Sequence, residues 1–355
     1  MNGNFYGYDN VVIETEEERN EKKKRLRRHF SRVFLAMFLY IVISQAVSIL
    51  AYPIAERILS PEAYTKFAAS AIWSLVISCA SQYLVAFPIF ILLLTGTEKA
   101  KSRGKSELSL KDFVLLFCTG QVLMMAGNIV GQFLNQIVGS LTGNLPENSV
   151  AEIIQETPIW LTFILVVIIA PIVEEIISRK LIIDRLSIYG DHVAIIFSAV
   201  AFGLLHANLY QFFYAALLGI LLGYVYTKTR DVKYTIYMHM IINLMGSIVA
   251  LPVEKAMNEY YEIAEIALAG GSFNLLALAG SWLVMFIYSN LQYGMIIGGI
   301  IAIVHYTKKR EIKINTDKEI YLSDKDIAKH GILNVGTMLF LVLTLTITVL
   351  NLFLI

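Results

Sequence analysis

The sequence predicts an all-α, polytopic transmembrane helical bundle, and three observations lead to that prediction. The chain of 355 residues is 57% hydrophobic and only 16% charged, which is too apolar for a soluble domain of this size. Its apolar residues are collected in long runs, and about 20 residues of helix cross a bilayer core of ~30 Å. Its Lys and Arg residues lie in alternate connecting segments, which is typical of loops on the cytoplasmic side. The net charge of +1 gives no indication of a nucleic-acid partner.

Nine candidate spans follow one another along the chain. They cover residues 33–55, 72–95, 112–140, 159–187, 192–207, 211–227, 234–250, 275–305 and 334–355. The fourth span is long, whereas the fifth and sixth are short and joined by only a few polar residues. The boundaries of those two short spans are therefore the least defined.

The distribution of basic residues predicts the orientation. With a cytoplasmic N-terminus, all but three of the 29 Lys and Arg residues fall in segments 1–32, 96–111, 178–192, 228–233 and 306–333. The outer side then keeps only Arg57, Lys66 and Lys255. We therefore expect the N-terminus in the cytoplasm and the C-terminus outside. The basic start of the chain leads into an uncleaved first span, and we expect the protein in a bacterial plasma membrane.

Ionisable residues interrupt the apolar spans at few places. The middle of the fourth span carries Glu174, Glu175, Arg179 and Lys180, and His206 and His239 lie within the fifth and seventh spans. A charge at the bilayer centre costs about 2.5 kcal/mol or more, so such residues usually face a protein interior or a watery cavity. Because three segments supply all of them, we expect one shared cavity.

Helix geometry allows four of these polar residues to meet. Glu174 and His206 both lie ~20 Å from the predicted cytoplasmic turn at 189–191, at a rise of 1.5 Å per residue. His239 and Asn243 are four residues apart on one helix face, at depths of ~8 and ~14 Å. The tilt of their helix would bring them level with the other pair.

The two adjacent glutamates have different expected roles. Glu175 and Arg179 are four residues apart, which predicts an ion pair on one helix face. Glu174 is rotated about 100° away and cannot share that contact equally. Glu174 is therefore the carboxylate available for chemistry.

Three short motifs resemble those of the CPBP intramembrane proteases, the CAAX-protease and bacteriocin-processing (Abi) family. "EEIISR" at 174–179 is similar to the EExxxR motif, "FGLLH" at 202–206 to FxxxH, and "HMIIN" at 239–243 to the third motif. They occur in the family order and cover roughly residues 159–250. One departure is Lys180, where the family often has glycine.

The resemblance implies an endopeptidase that hydrolyses a peptide bond of a membrane-embedded or membrane-anchored peptide or protein. In this interpretation Glu174 is the general base, His206 is its partner in activating water, and His239 and Asn243 stabilise the oxyanion. A carboxylate in a low-dielectric cavity is a stronger base, and Asn and His are suitable oxyanion donors. Glu175, Arg179 and Phe202 are expected to support the site.

The spans and the motifs together divide the chain into regions. They separate a basic tail (1–32), N-terminal spans (33–140), a catalytic core (159–250) and C-terminal spans (275–355) that contain a cytoplasmic loop (306–333). Cys79 and Cys118 lie in apolar runs, which favours simple packing roles.

Metal use and function class stay open from the sequence. Glu174, His206 and His239 form a plausible zinc set with an open water position, although a site that activates water without metal fits the same residues. A proton-coupled transporter would also use buried Glu and His. A non-catalytic immunity or regulatory partner in the membrane is the third alternative.

Overall fold

A computed structural model describes residues 15–143, 149–309 and 312–353, and these residues form helices joined by short connections. The helices are α1 (Glu16–Ile58), α2 (Pro61–Ala68), α3 (Ala71–Leu93), α4 (Leu110–Thr142), α5 (Ser149–Glu156), α6 (Ile159–Tyr189), α7 (Asp191–Leu205), α8 (Leu209–Thr229), α9 (Val232–Leu268), α10 (Leu275–Lys308), α11 (Asp324–Ile332) and α12 (Val335–Phe353). The predicted all-α fold is confirmed.

Eight of these helices are long and apolar enough to cross a membrane within the described ranges. They correspond to the predicted spans except the fifth, which is the helix α7 of 15 residues. At 1.5 Å per residue α7 extends only ~22 Å, less than a bilayer core of ~30 Å. The protein is therefore an integral membrane protein with eight candidate spans and a shorter, buried apolar helix.

Two predicted boundaries differ from the helices. Helix α1 begins at Glu16 and continues through much of the predicted basic tail, because Leu26 and Phe30 bury one face of that segment completely. Residues 1–14 of the predicted tail lie outside the described part of the chain. Helix α9 continues to Leu268, so most of the predicted outer loop at 251–274 is helical. Long helices can extend beyond the bilayer, since apolar length alone does not decide where a helix ends.

The loops predicted to be cytoplasmic meet at one end of the bundle. Asp191 is almost fully buried and forms ion pairs with Arg103 at 2.6 Å and with Arg230 at 2.7 Å. The backbone of 312–323 also reaches this end, where Asp191 N–H donates to the carbonyl of Asn315 and Glu319 N–H to that of Ile188. These contacts hold the turn between α6 and α7, and with it the depth of the motif residues on both helices.

Small residues bring the central helices close together. A Cβ added at Gly127 of α4 would lie 2.4 Å from the Cα of Tyr214 on α8, and one at Gly219 of α8 would lie 3.0 Å from the Cα of Ala199 on α7. Such close backbone approach is typical of membrane helix pairs with small residues. Gly219 and Gly223 of α8 thus allow α8 to pack closely against α7.

Candidate active site

The two glutamates lie on a short α-helical stretch of α6 between two π-helical segments. The α-helical stretch is Ala170–Glu175, and the flanking π-helical segments are Phe163–Ile169 and Ile176–Ile183. A π-helical turn shifts the register of side chains and frees backbone carbonyls, and it occurs often at functional sites. Here two π-helical segments flank the stretch that carries both glutamates.

Glu175 and Arg179 form the predicted ion pair in a fully buried position. Arg179 Nε donates to Glu175 Oε2 at 2.8 Å, and Arg179 Nη2 donates to Oε1 at 3.2 Å. Both side chains are 0% exposed. Arg179 also donates from Nη1 to Ser198 Oγ on α7 at 3.3 Å, and its guanidinium lies 5.2 Å from the ring centre of Phe202. The pair therefore fixes α6 against α7.

His239 on α9 lies between the two glutamates. Its Nδ1 is 3.2 Å from Glu175 Oε1, and its Nε2 is 3.8 Å from Glu174 Oε2. An ionised carboxylate only accepts hydrogen bonds, so the nitrogen that faces Glu175 must carry a proton. The neutral His239 ring is therefore assigned with its proton on Nδ1. In the neutral ring this leaves Nε2, the atom beside Glu174, as an acceptor. The buried Glu175 thus orients His239 towards Glu174.

Glu174 differs from Glu175 in its surroundings. Its side chain is 27% exposed, whereas that of Glu175 is completely buried. Four side chains from other helices lie near enough for its charge to act on them: Tyr40, Cys79, Tyr83 and Tyr214. The charge of Glu174 therefore lies within electrostatic range of side chains on α1, α3 and α8, which carry no motif residue.

The ring of Phe202 contacts both histidines of the candidate site. Its ring meets His206 edge-on at 5.1 Å between centres and His239 edge-on at 5.7 Å. His206 Nδ1 lies 2.9 Å from the carbonyl oxygen of Phe202, which assigns the proton to Nδ1 and leaves Nε2 as an acceptor. His206 ends α7, and the next residue, Ala207, turns the chain with a positive φ of 47°.

Asn243 lies one turn after His239 and contacts α6. Its Nδ2 donates to the carbonyl of Val166 at 2.9 Å, within the first π-helical segment. An amide nitrogen carries two hydrogens, so a second N–H of Asn243 remains for another acceptor. The predicted set thus splits into a close Glu174–His239 contact and two residues, His206 and Asn243, each held by a backbone carbonyl.

The donor set does not assemble as a metal centre. In the described part of the chain, no group of three or more His, Cys, Asp or Glu side chains is placed to hold a metal ion. His206 and His239 use Nδ1 for the Phe202 carbonyl and for Glu175, which is how metal-binding histidines are commonly oriented, and both Nε2 atoms are left as acceptors. The ring nitrogens therefore suit a metal, but Glu174, His206 and His239 are not grouped around one point, and zinc stays a prediction for this chain.

Sequence patterns missed several contributors to this site. Ser198 accepts from Arg179 and donates to the carbonyl of Ser178 at 2.8 Å, yet a serine in an apolar helix carries no motif. The tyrosines near Glu174 come from helices outside the three motifs. Only the crossing of the helices brings them to Glu174.

Comparison with known proteins gives two matches. Residues 156–245 match the family described as "Type II CAAX prenyl endopeptidase Rce1-like". The chain is also 25% identical over 212 residues to "Putative membrane peptidase YdiL" of Bacillus subtilis (strain 168), covering 57% of this chain and 81% of that protein. No solved structure matches.

The matched segment contains the candidate site. Residues 156–245 run from the start of α6 to Met245, just beyond Asn243, and so include all three motifs. The resemblance predicted from those motifs is confirmed, and the matches support a protease rather than a transporter or a non-catalytic partner.

Proposed function

We propose that this chain, a membrane protease of the CPBP family, hydrolyses a peptide bond of a membrane-associated substrate with water activated by Glu174. The observation that carries the proposal is the unequal pair of glutamates. Glu175 is buried and occupied by Arg179 and His239, whereas Glu174 is partly exposed with His239 Nε2 at 3.8 Å. A general base must be reachable by water and free to take a proton, and Glu174 meets both conditions.

The site geometry leaves room for the attacking water. A water molecule ~2.8 Å from both Glu174 Oε2 and His239 Nε2 is compatible with their separation of 3.8 Å. As the water oxygen attacks the substrate carbonyl carbon, its proton passes to Glu174 and the carbonyl oxygen becomes an oxyanion. Glu174 then returns that proton to the leaving amine as the C–N bond breaks. Water is consumed and two shorter chains are released.

The remaining polar residues have separate proposed roles. The second N–H of Asn243 stabilises the oxyanion, because its first already binds Val166. His206 presents Nε2 as an acceptor and helps to orient the water. Glu175 and Arg179 act as positioning residues, since they hold His239 and α7 in place.

Whether the reaction depends on zinc is tested separately. The described donors do not form a three-ligand group, so the steps above use only the side chains of this protein. Treatment of the active protein with a chelator, followed by addition of zinc, measures whether activity depends on metal. A loss reversed by zinc would show that the donors rearrange around an ion.

The proposed substrate is a peptide anchored in or on the bilayer. The matched family is described as a "Type II CAAX prenyl endopeptidase", and we propose either a prenylated, lipid-anchored peptide or an apolar leader peptide for this chain. Comparing the membrane and secreted peptides of cells with wild-type protein and with Glu174→Gln identifies the cleaved chain. Peptides that accumulate only with the wild type are the products.

The mechanism is tested by cleavage of that substrate by purified protein in lipid bilayers. Glu174→Gln and His239→Ala should each lower the rate by about 10²–10⁴-fold, because they remove the base or its neighbour. Glu62→Gln makes the same chemical change at an exposed residue of α2 that pairs with Lys66, and His305→Ala removes a histidine far from the site. Both controls should retain the wild-type rate. Unchanged cleavage by Glu174→Gln would show that another group activates the water.

A further inference from the structure

A cavity lies between the membrane helices α4, α9 and α10. Its volume is about 440 Å³, and its polar lining consists of side-chain amides and one phenol: Gln121, Asn128, Gln132, Gln292 and Tyr288. The remaining lining is apolar, with Met124, Met125 and Met245 among its side chains. We call this cavity the amide cleft. None of its lining residues is charged, so its chemistry suits a neutral occupant that carries both polar and apolar groups.

The amide cleft is separate from the candidate active site. On α9 it is lined by Ile242, Met245 and Gly246, whereas the neighbouring Asn243 donates to Val166 on α6. Ile242 lies three residues after His239 and Gly246 lies three residues after Asn243, so the cleft is next to the catalytic face of α9. Neither His239 nor Asn243 lines the cleft itself.

One side chain in the amide cleft has no partner. Gln121 is only 9% exposed, and its Nε2 is buried without a hydrogen-bond partner among the described residues. A buried donor without an acceptor costs about 1–3 kcal/mol, and water or a ligand usually satisfies such groups. By contrast, Gln292 donates to Tyr288 at 2.8 Å. The unpartnered amide indicates where an occupant with a carbonyl oxygen would bind.

The spacing of the amides matches an extended peptide. Gln121, Asn128 and Gln132 lie seven and four residues apart, on one face of α4. They cover ~16 Å of helix, which equals about five residues of extended chain at ~3.3 Å each. Within a membrane, a non-helical backbone is tolerated only where protein groups or water satisfy its N–H and C=O groups. Asn and Gln can donate to and accept from such a backbone, and methionine adapts to varied side chains.

We propose that the amide cleft binds an unwound backbone segment of the membrane-embedded substrate peptide. This inference rests on the proposed function, because a peptide must leave its helix before it can be hydrolysed. The cleft holds the non-helical segment along α4 while a neighbouring part of the same peptide reaches Glu174. The amide cleft thereby selects substrates whose membrane segment unwinds readily.

Binding of two designed peptides tests this inference. Both are apolar peptides of about 25 residues with identical composition and a fluorophore, but one carries adjacent Gly and Pro at its centre and the other carries them at its ends. The protein is the full chain in lipid nanodiscs with Glu174→Gln, so that neither peptide is cleaved. We expect the peptide with Gly and Pro at its centre to bind at least about fivefold more tightly than the other peptide. One or two additional hydrogen bonds to the cleft would give a difference of this size.

Substitutions that remove amides assign the preference to the cleft. Gln121→Met and Gln132→Met keep the side-chain length and remove its hydrogen bonds, and together they should abolish the preference. Gln136→Met makes the same change one turn further along α4, outside the cleft, and should retain it. Because Gln132 is exposed, its single variant remains informative if Gln121→Met impairs folding. Equal binding of the two peptides, or the same loss with Gln136→Met, would overturn the proposal.

A parallel cleavage assay separates this inference from the proposed function. It uses the chain with Glu174 intact and the same two peptides. Preferential binding without cleavage by this chain would support the amide cleft and refute the proposed hydrolysis. Cleavage without a binding preference would overturn the amide cleft alone.

Discussion

Replacing Arg179 with methionine should destabilise the protein far more than an exposed substitution of the same kind. Arg179 is 0% exposed and supplies two hydrogen bonds to the equally buried Glu175, at 2.8 and 3.2 Å. Methionine fills much of the same volume but leaves the Glu175 carboxylate without its cation. Removal of one partner of a buried ion pair costs about 3–5 kcal/mol. Glu175 keeps its contact with His239 at 3.2 Å. We therefore expect the free energy of unfolding to fall by an amount near the lower end of that range.

The neighbouring residue provides a matched control. Lys180 pairs with Asp184 at 2.8 Å, also four residues away, but its side chain is 55% exposed. Lys180→Met should therefore cost less than about 1 kcal/mol. Both variants are measured by SDS titration in mixed micelles, with tryptophan fluorescence as the signal for unfolding. Equal losses for the two variants would refute the reasoning that burial decides the strength of these pairs.

A double substitution separates the charge from the packing. Glu175→Leu combined with Arg179→Met removes both charges, and buried ion pairs replaced by apolar residues often lose little stability. The double variant should be more stable than Arg179→Met alone. If it is less stable, the hydrogen bond between Glu175 and His239 outweighs the cost of the unpaired carboxylate.

Two further predictions concern other parts of the fold. Arg19 donates a hydrogen bond of 2.7 Å to Asp326 and holds the pKa of Asp326 well below its usual range. The ionised Asp326 therefore stabilises the docking of α11 on α1. This stabilisation is present above the ordinary pKa of ~3.9 and is lost as the pH falls through the lowered pKa. Hydrogen exchange of 324–332 at pH 7 should therefore rise in Asp326→Asn, and equal protection in both proteins would contradict this. Gly127→Ala should destabilise the packing of α4 by about 1–3 kcal/mol, because its Cβ would meet the backbone of α8. Gly280→Ala, with nothing within 4 Å, is the control in the same SDS titration and should be neutral or slightly stabilising.

The candidate site was predictable where it depends on spacing within one helix. The pair Glu175 and Arg179 follows from a separation of four residues, and the helix geometry also separates Glu174 from that pair. The three motifs likewise predicted the matched family. Local periodicity is a property of the chain itself and does not depend on how the helices cross.

The contacts between distant helices were not predictable in this way. The position of His239 between the two glutamates depends on how α9 crosses α6, and the bond from Asn243 to Val166 depends on a carbonyl in a π-helical segment. The tyrosines near Glu174 depend on α1, α3 and α8, which carry no motif.

The sequence by itself determined that this protein is a bundle of membrane helices, which residues carry its intramembrane charges, and which glutamate is paired. Apolar length and helical spacing are local and appear directly in the order of residues. Only the tertiary structure decided that His239 lies beside Glu174 and that an amide-lined cleft lies between α4, α9 and α10. Helix crossings decide these contacts, because they depend on close packing between residues far apart in the chain.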